Sequence, residues 1–280
     1  MAGGHISKII CVAQAGQTLD KTDVHNQCDF QIHEVWQSDD GRAVYMLSPQ
    51  PKSSISLSVS NVDVFVLDEN APPPKLLLAD MDSTIVTSET LDDLAAHFDM
   101  QEDVAKITER AMRGEMDFHE ALEKRVQMLT GLPEQAIFDF LPKIETSPGA
   151  ESLIYMCREK GIKPYLVSSG FTHVTEYIAS KLGFEGHFGN SFVIEDGQLT
   201  GAVQKPIQDK SAKLRILQEL CDAHDSLPDE VIAIGDGAND IPMLQAAGYD
   251  IAYKAKPKVM DMTALHIHYT DLSAVKYLFS

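Results

Sequence analysis

The alternation of apolar and polar positions changes character near residue 70 of this 280-residue chain. Upstream, short runs rich in β-branched and aromatic residues fall at 6–12, 30–36, 43–47, 55–59 and 62–67, separated by polar or glycine-containing turns. Such runs predict strands, and no stretch there carries the period of a long helix. Downstream, brief continuous apolar runs end in polar residues. Residues 76–79 run into Asp80, 164–168 end on Ser168, and 231–234 run into Gly235 and Asp236. Runs at 249–253 and 265–268 predict two more strands, and helical periodicity occupies 150–160, 173–182, 211–223 and 241–247. Continuous apolar strands between helices describe a sheet buried on both faces. The predicted class is α/β: a doubly wound, mostly parallel sheet preceded by a small β-rich α+β domain.

Three consecutive prolines, Pro72 to Pro74, suit an extended linker. The expected division is therefore 1–70, a small domain with no assigned role, and 71–280. Within the second part, residues 90–147 read as several helices without a strand, a cap inserted after the first strand. Residues 191–203 read as a hairpin turning at Asp196-Gly197.

Charge narrows the partners. Asp and Glu number 42 against 23 Lys and Arg, a formal net charge of −19. With no basic tract to offset it, the chain is not expected to bind nucleic-acid backbones. A small phosphorylated ligand stays compatible, because a divalent cation reverses the field locally. Cys11, Cys28, Cys157 and Cys221 are too scattered for a zinc or disulfide framework. No leader-like start and no run of eighteen apolar residues is visible, so a cytoplasmic protein without a membrane segment is expected.

Sheets of this class bind ligands beyond the carboxyl ends of their strands. Asp80 and Asp82 follow the first such strand, and one could attack phosphorus while the other transfers protons. As plain structure they would be solvent-facing aspartates before a helix capped by Ser83 or Thr84. Asp236, Asn239 and Asp240 follow another strand, with glycines allowing a tight turn. Hard oxygens converging from two strand ends suit Mg2+. Ser168, Ser169 and Gly170 offer hydroxyls and backbone amides as an oxyanion cradle. Lys213 or Lys210 could neutralise a phosphoryl group, and periodicity does not choose between them.

Together, the stretches 79–86, 167–170, 209–213 and 234–241 resemble the haloacid-dehalogenase-like phosphatases, with similarity running from about residue 74 to 280. The cap stretches 89–95 and 111–126 resemble the phosphoserine phosphatase branch. That resemblance implies Asp80 as nucleophile and Asp82 as general acid and base. It implies Mg2+ held by Asp80, the backbone carbonyl of Asp82 and Asp236, with Asp240 ordering its surroundings. Ser168, Ser169, Gly170, Asn239 and, of the two lysines, Lys213 would hold the phosphoryl group. Glu89 would meet the ammonium and Arg125 the carboxylate of a small phosphorylated amino acid, with Met112 and Phe118 as apolar lining. The implied reaction is hydrolysis of phosphoserine. Homoserine phosphate, another small phosphomonoester, transfer to an alcohol acceptor, or a non-catalytic sensor are the alternatives. Ser169 departs from the family pattern, which has glycine there. Relatives often carry a regulatory βαββαβ domain at the N-terminus, but its helices are not legible in residues 1–70; packing or a homodimer contact fits that segment as well.

Overall fold

In this computed structural model the described residues are 6–28, 30–49, 61–98 and 115–280, with 100, 102, 104, 106, 107 and 110 between them. The expected strand at 55–59 lies outside them. The N-terminal strands are β1 Ser7–Ala13, β2 Glu34–Gln37, β3 Ala43–Ser48 and β4 Val62–Asp68. They lie in the order β2-β3-β1-β4, every neighbour antiparallel. The run expected at 30–36 enters the ladder at Glu34, opposite Leu47; His33 N–H still donates to Leu47 O at 2.8 Å, and β3 ends at Ser48. A short helix, α1 Lys21–Asn26, stands where none was expected. It holds six residues, too few to show a period, and Asp20 caps it by accepting the N–H groups of Thr22 and Asp23 at 2.7 and 3.2 Å.

The two faces of this small sheet have different neighbours. Ile9, Cys11, Val44 and Met46 cluster with Val24 of α1. Ile10, Val12, Tyr45 and Phe65 belong to the same apolar cluster as the larger sheet's core. The subdomain is thus buried against the rest of the chain through one full face.

Six parallel strands make the main sheet: β5 Leu76–Ala79, β6 Lys163–Phe171, β7 Gly186–Asn190, β10 Val231–Gly235, β11 Tyr249–Tyr253 and β12 Leu265–Ile267. Their order, β12-β11-β10-β5-β6-β7, reverses direction beside β5. Leu77 and Ala79 join one core layer, Leu76 and Leu78 the other. That is why β5 reads as an unbroken apolar run: both faces are covered, and each buried aliphatic side chain contributes about 1.5–3 kcal/mol.

Between β5 and β6 the inserted segment holds α2 Thr90–His97, α3 Phe118–Met128 and α4 Glu134–Phe140, and α5 Ala150–Glu159 returns the chain to the sheet. A bridge between Val86 and Thr146 closes its two ends. The expected hairpin is present as β8 Phe192–Glu195 and β9 Gln198–Val203, with Asp196 and Gly197 at φ 49° and 74°. It is tied to the insertion by Gly131 N–H donating to Leu199 O at 2.8 Å and Glu134 N–H to Gly197 O at 2.9 Å. The flanking helices α6 Thr172–Leu182, α7 Lys210–Ala223 and α8 Ile241–Ala246 complete the layers that bear on the site. Among the described residues no helix is long and apolar enough to cross a membrane.

Candidate active site

The site is built at the carboxyl ends of β5, β6 and β10. Beyond β5 the backbone stays extended at Asp80 (φ −65°, ψ 155°) and Asp82 (φ −66°, ψ 135°), then turns through Ser83 at φ 57°. Met81, fully buried, anchors the turn, and Val86 N–H donates back to Met81 O at 2.9 Å. Residues two apart in extended chain face the same way. Asp80 and Asp82 therefore both line one cavity of about 320 Å3.

Lys213 resolves the ambiguity between the two lysines. Lys210 is exposed, whereas Lys213 is buried and its Nζ lies 2.5 Å from both Asp80 Oδ1 and Asp240 Oδ1. Burial alone would lower the Lys213 pKa, but the charges of Asp240 and Asp80 outweigh it and hold the ammonium protonated. Conversely, burial and the charge of Asp240 push Asp80 well above the usual carboxylate range, against the pull of Lys213. One ammonium does not neutralise this many carboxylates.

On the β10 side, Gly237 N–H donates to Asp240 Oδ2 at 3.0 Å and Thr84 Oγ1 donates to Asp236 Oδ1 at 3.3 Å. Glycine is required at 235: a Cβ there would stand 2.6 Å from the Asp240 carboxyl. Burial, then the charge of Asp240, raises Asp236 to about 6. Carboxylate oxygens of Asp80, Asp236 and Asp240 all lie within 4.8 Å of one another. Three converging hard oxygens fit a divalent metal, which would relieve the repulsion that raises Asp80 and Asp236. Both oxygens of Asp240 are already engaged, so Asp80 and Asp236 are the freer ligands.

Asp82 is held by Thr90 N–H, which donates to its Oδ1 at 2.8 Å, and by Ser168 Oγ, which donates to Oδ2 at 3.3 Å. Its pKa is nevertheless raised, chiefly by burial. Ser168 Oγ also accepts Gly170 N–H at 2.8 Å. Gly170 cannot be larger, since a Cβ would meet Asp82 Oδ2 at 2.9 Å. Ser169 and Asn239 line the same cavity, and Ser169 Oγ is buried without a partner.

The cap closes the other wall with Glu89, Phe118 and Arg125. Arg125 Nη1 donates to Asp92 Oδ1 at 3.2 Å, while its Nε is buried and unpaired. Glu89 remains exposed at the mouth. Even so, partial burial of its carboxyl, then the charge of Asp82, raises it to about 7, although Ser83 Oγ donates to Oε1 at 3.1 Å. Met112 lies outside the described residues. Apart from that residue, every expected site residue lies in this cavity or in direct contact with its wall.

Sequence reasoning misses six lining residues: Leu91, Leu122, Phe171, Gly237, Ala238 and Lys256. The signal for Lys256 is its place just beyond the carboxyl end of a parallel strand, where such folds bind ligands. A larger hollow of about 440 Å3 lies at the opposite ends of the strands, near Lys8, Lys160 and Phe279, but no comparable set of reactive groups converges on it among the described residues.

Comparison with known proteins follows the same residues. The family model for haloacid dehalogenase-like hydrolases matches residues 74–248. A phosphoserine phosphatase of Archaeoglobus fulgidus is 42% identical over 188 residues, covering 67% of this chain and 55% of that protein. One from Methanocaldococcus jannaschii is 37% identical over 205 residues, covering 73% and 97% respectively. The chain spans about half the length of the first curated relatives it matches. Among solved structures, a HAD family hydrolase from Salmonella enterica serovar Typhi superposes with a TM-score of 0.86 at 26% identity, covering 98% of each chain. A phospho-aspartyl intermediate analogue of phosphoserine phosphatase gives 0.68 at 36% identity, covering 74% of this chain and 99% of that one.

Proposed function

We propose that this chain, which belongs to the haloacid dehalogenase-like hydrolases, is a magnesium-dependent phosphatase that hydrolyses O-phospho-L-serine to L-serine and phosphate. The observation that carries this reading is the meeting, in one cavity, of Asp80 paired to buried Lys213, Asp82 beside it, and Arg125 with Glu89 on the facing wall. The relatives named as phosphoserine phosphatases support the substrate.

Asp80 attacks phosphorus, forming an aspartyl phosphate as the ester P–O bond to serine breaks. Asp82, whose burial favours the protonated carboxyl, gives its proton to the departing serine oxygen. Water then attacks the phosphoaspartate while the Asp82 carboxylate takes its proton, and phosphate leaves Asp80. Lys213 and the Ser168–Gly170 cradle hold the phosphoryl oxygens throughout. Bound magnesium, held by Asp80, the Asp82 carbonyl and Asp236, would supply positive charge beside those oxygens. Glu89 receives the substrate ammonium and Arg125 its carboxylate, a match of planar guanidinium to carboxylate. We assign catalysis to residues 71–280 with the cap at about 90–147, a docked structural role to residues 1–70, and a cytoplasmic location.

The test is phosphate release under controlled magnesium from L-phosphoserine, D-phosphoserine, homoserine phosphate and phosphothreonine, with Asp80→Asn as the blank. The expected result is magnesium-dependent preference for L-phosphoserine that the variant abolishes. Preference for homoserine phosphate would reassign the cap, and folded, magnesium-loaded protein inert on all four would sink the phosphatase reading.

A further inference from the structure

Lys256 has no part in the chemistry described above, yet it stands on the cavity wall beside Asp236, Gly237 and Asn239. Its position follows from the sheet. β11 runs in register with β10, Ala252 opposite Gly235, so the loop leaving β11 emerges next to the Asp236 loop. The chain turns at Lys254 (φ 45°), extends through Lys256 (φ −65°, ψ 150°) and is stiffened by Pro257 at the start of a short helix. Lys256 is exposed, and no ion pair or hydrogen bond of its side chain occurs among the described residues. Its charge is felt at Asp236, whose ionised form it favours.

The charge balance of the cavity gives this lysine a task. Asp80, Asp82, Glu89 and Asp236 line it against Arg125 and Lys256, in a chain of net charge −19. Arg125 is held by Asp92, and Lys213 behind the wall is locked between Asp80 and Asp240. Among the described residues, an approaching phosphate dianion therefore meets four carboxylates on the cavity wall and, in Lys256, one unengaged ammonium. We infer that Lys256 is a positioning residue at the mouth of the pocket, drawing the phosphate dianion in and turning it toward Asp80 before Lys213 engages it. This rests on the phosphatase reading for the identity of the anion, and goes beyond it in assigning capture to a residue separate from the reacting groups.

Two measurements on the magnesium-loaded full chain test it: calorimetric binding of inorganic phosphate, and steady-state hydrolysis of phosphoserine, each at low and high salt. Lys256→Gln should weaken phosphate binding and lower kcat/KM by about three- to tenfold at low salt, Lys256→Glu by more, and Lys256→Arg by little. The losses should shrink as salt rises, because an exposed charge is screened, and kcat should stay within about twofold. Wild-type phosphate affinity in Lys256→Glu at low salt, or a loss confined to kcat and indifferent to salt, would overturn the inference. Should the wild type bind phosphate but hydrolyse no phosphomonoester, the phosphatase reading fails while the calorimetry still decides on Lys256.

Discussion

Asp63 and Asp80 are equally buried, each 4% exposed, and they illustrate two uses of a buried carboxylate. Asp63, on β4, accepts backbone N–H groups of His268, Tyr269 and Thr270 at 3.0, 3.1 and 2.9 Å, and the Thr270 hydroxyl at 2.6 Å. Every donor is neutral and fixed by the chain, so the negative charge is satisfied without a competing charge. Around it, Arg42 donates to Ser273 Oγ at 3.1 Å and Tyr277 to Asp40 Oδ2 at 2.6 Å, fastening the N-terminal sheet to the C-terminal segment. Asp80 instead shares one lysine with Asp240 and faces Asp236. Its surroundings hold excess negative charge that only an added cation relieves. Satisfied polar burial holds a fold together; unsatisfied polar burial stores binding capacity for a ligand.

The contrast breaks most sharply under substitution of the two aspartates. Asp80→Asn should remove at least about 10³-fold of phosphate release, because the nucleophile is gone. The metal-free protein should hold or gain thermal stability, since one of several clustered like charges disappears. Lys213→Met should also cost about 10²–10³-fold in kcat, but here stability should fall, as Asp80 and Asp240 lose their shared counter-charge. Asp63→Ala should give the opposite signature. Stranding the buried N–H and hydroxyl of Thr270, with two half-buried N–H groups beside them, should cost about 2–3 kcal/mol, read as a lower Tm, with kcat per folded molecule near wild type. If Asp63→Ala abolished turnover in folded protein, the division between docking and catalysis would be wrong.

Arg125 sharpens the comparison at smaller scale, because it combines a satisfied contact with an unsatisfied one. Its Nη1 is paired to Asp92 while Nε is buried without an acceptor. Arg125→Ala should raise KM for phosphoserine by about tenfold or more, and leave an aryl phosphate without a carboxylate nearly unaffected. Equal effects on both would remove Arg125 from substrate recognition.

The same contrast explains what the sequence reveals. Local patterns report strands and their polar ends: 76–79 and 249–253 coincide with β5 and β11, and the aspartates beyond the first of these and beyond β10 fall into one cavity. Lys213 is separated from Lys210 only in the structure, where it sits on the buried stripe of α7 with Ile216, Leu217 and Leu220. Docking is illegible because its partners are remote: Asp63 and Thr270 stand 207 positions apart, and no period connects them. Asp92 as partner of Arg125 and Lys256 on the cavity wall are hidden for the same reason. In the small domain, α1 is too short for periodicity and β2 starts where β3 permits, so the partner rather than the run itself sets the boundary.

Glu89 supplies the smallest expected effect, and its sign can be worked out. Its carboxyl is raised from an ordinary value of 4.5 to about 7 by partial burial and then by Asp82. A carboxyl raised on folding contributes stability that is fully present below the unfolded value and is lost as pH rises through the folded one. In metal-free protein, wild type should therefore lose Tm relative to Glu89→Gln between about pH 4.5 and pH 7, and the difference should level off above that window. Asp80, Asp82 and Asp236 titrate in both proteins, so the difference reports position 89 together with its coupling to Asp82 and Asp236. The functional side runs in the opposite direction: kcat/KM for phosphoserine should rise through the same window in wild type more than in the glutamine variant, because only ionised Glu89 offers the substrate ammonium a counter-charge. A Tm difference that does not change with pH would show that water, rather than the pocket wall, sets the charge state of Glu89.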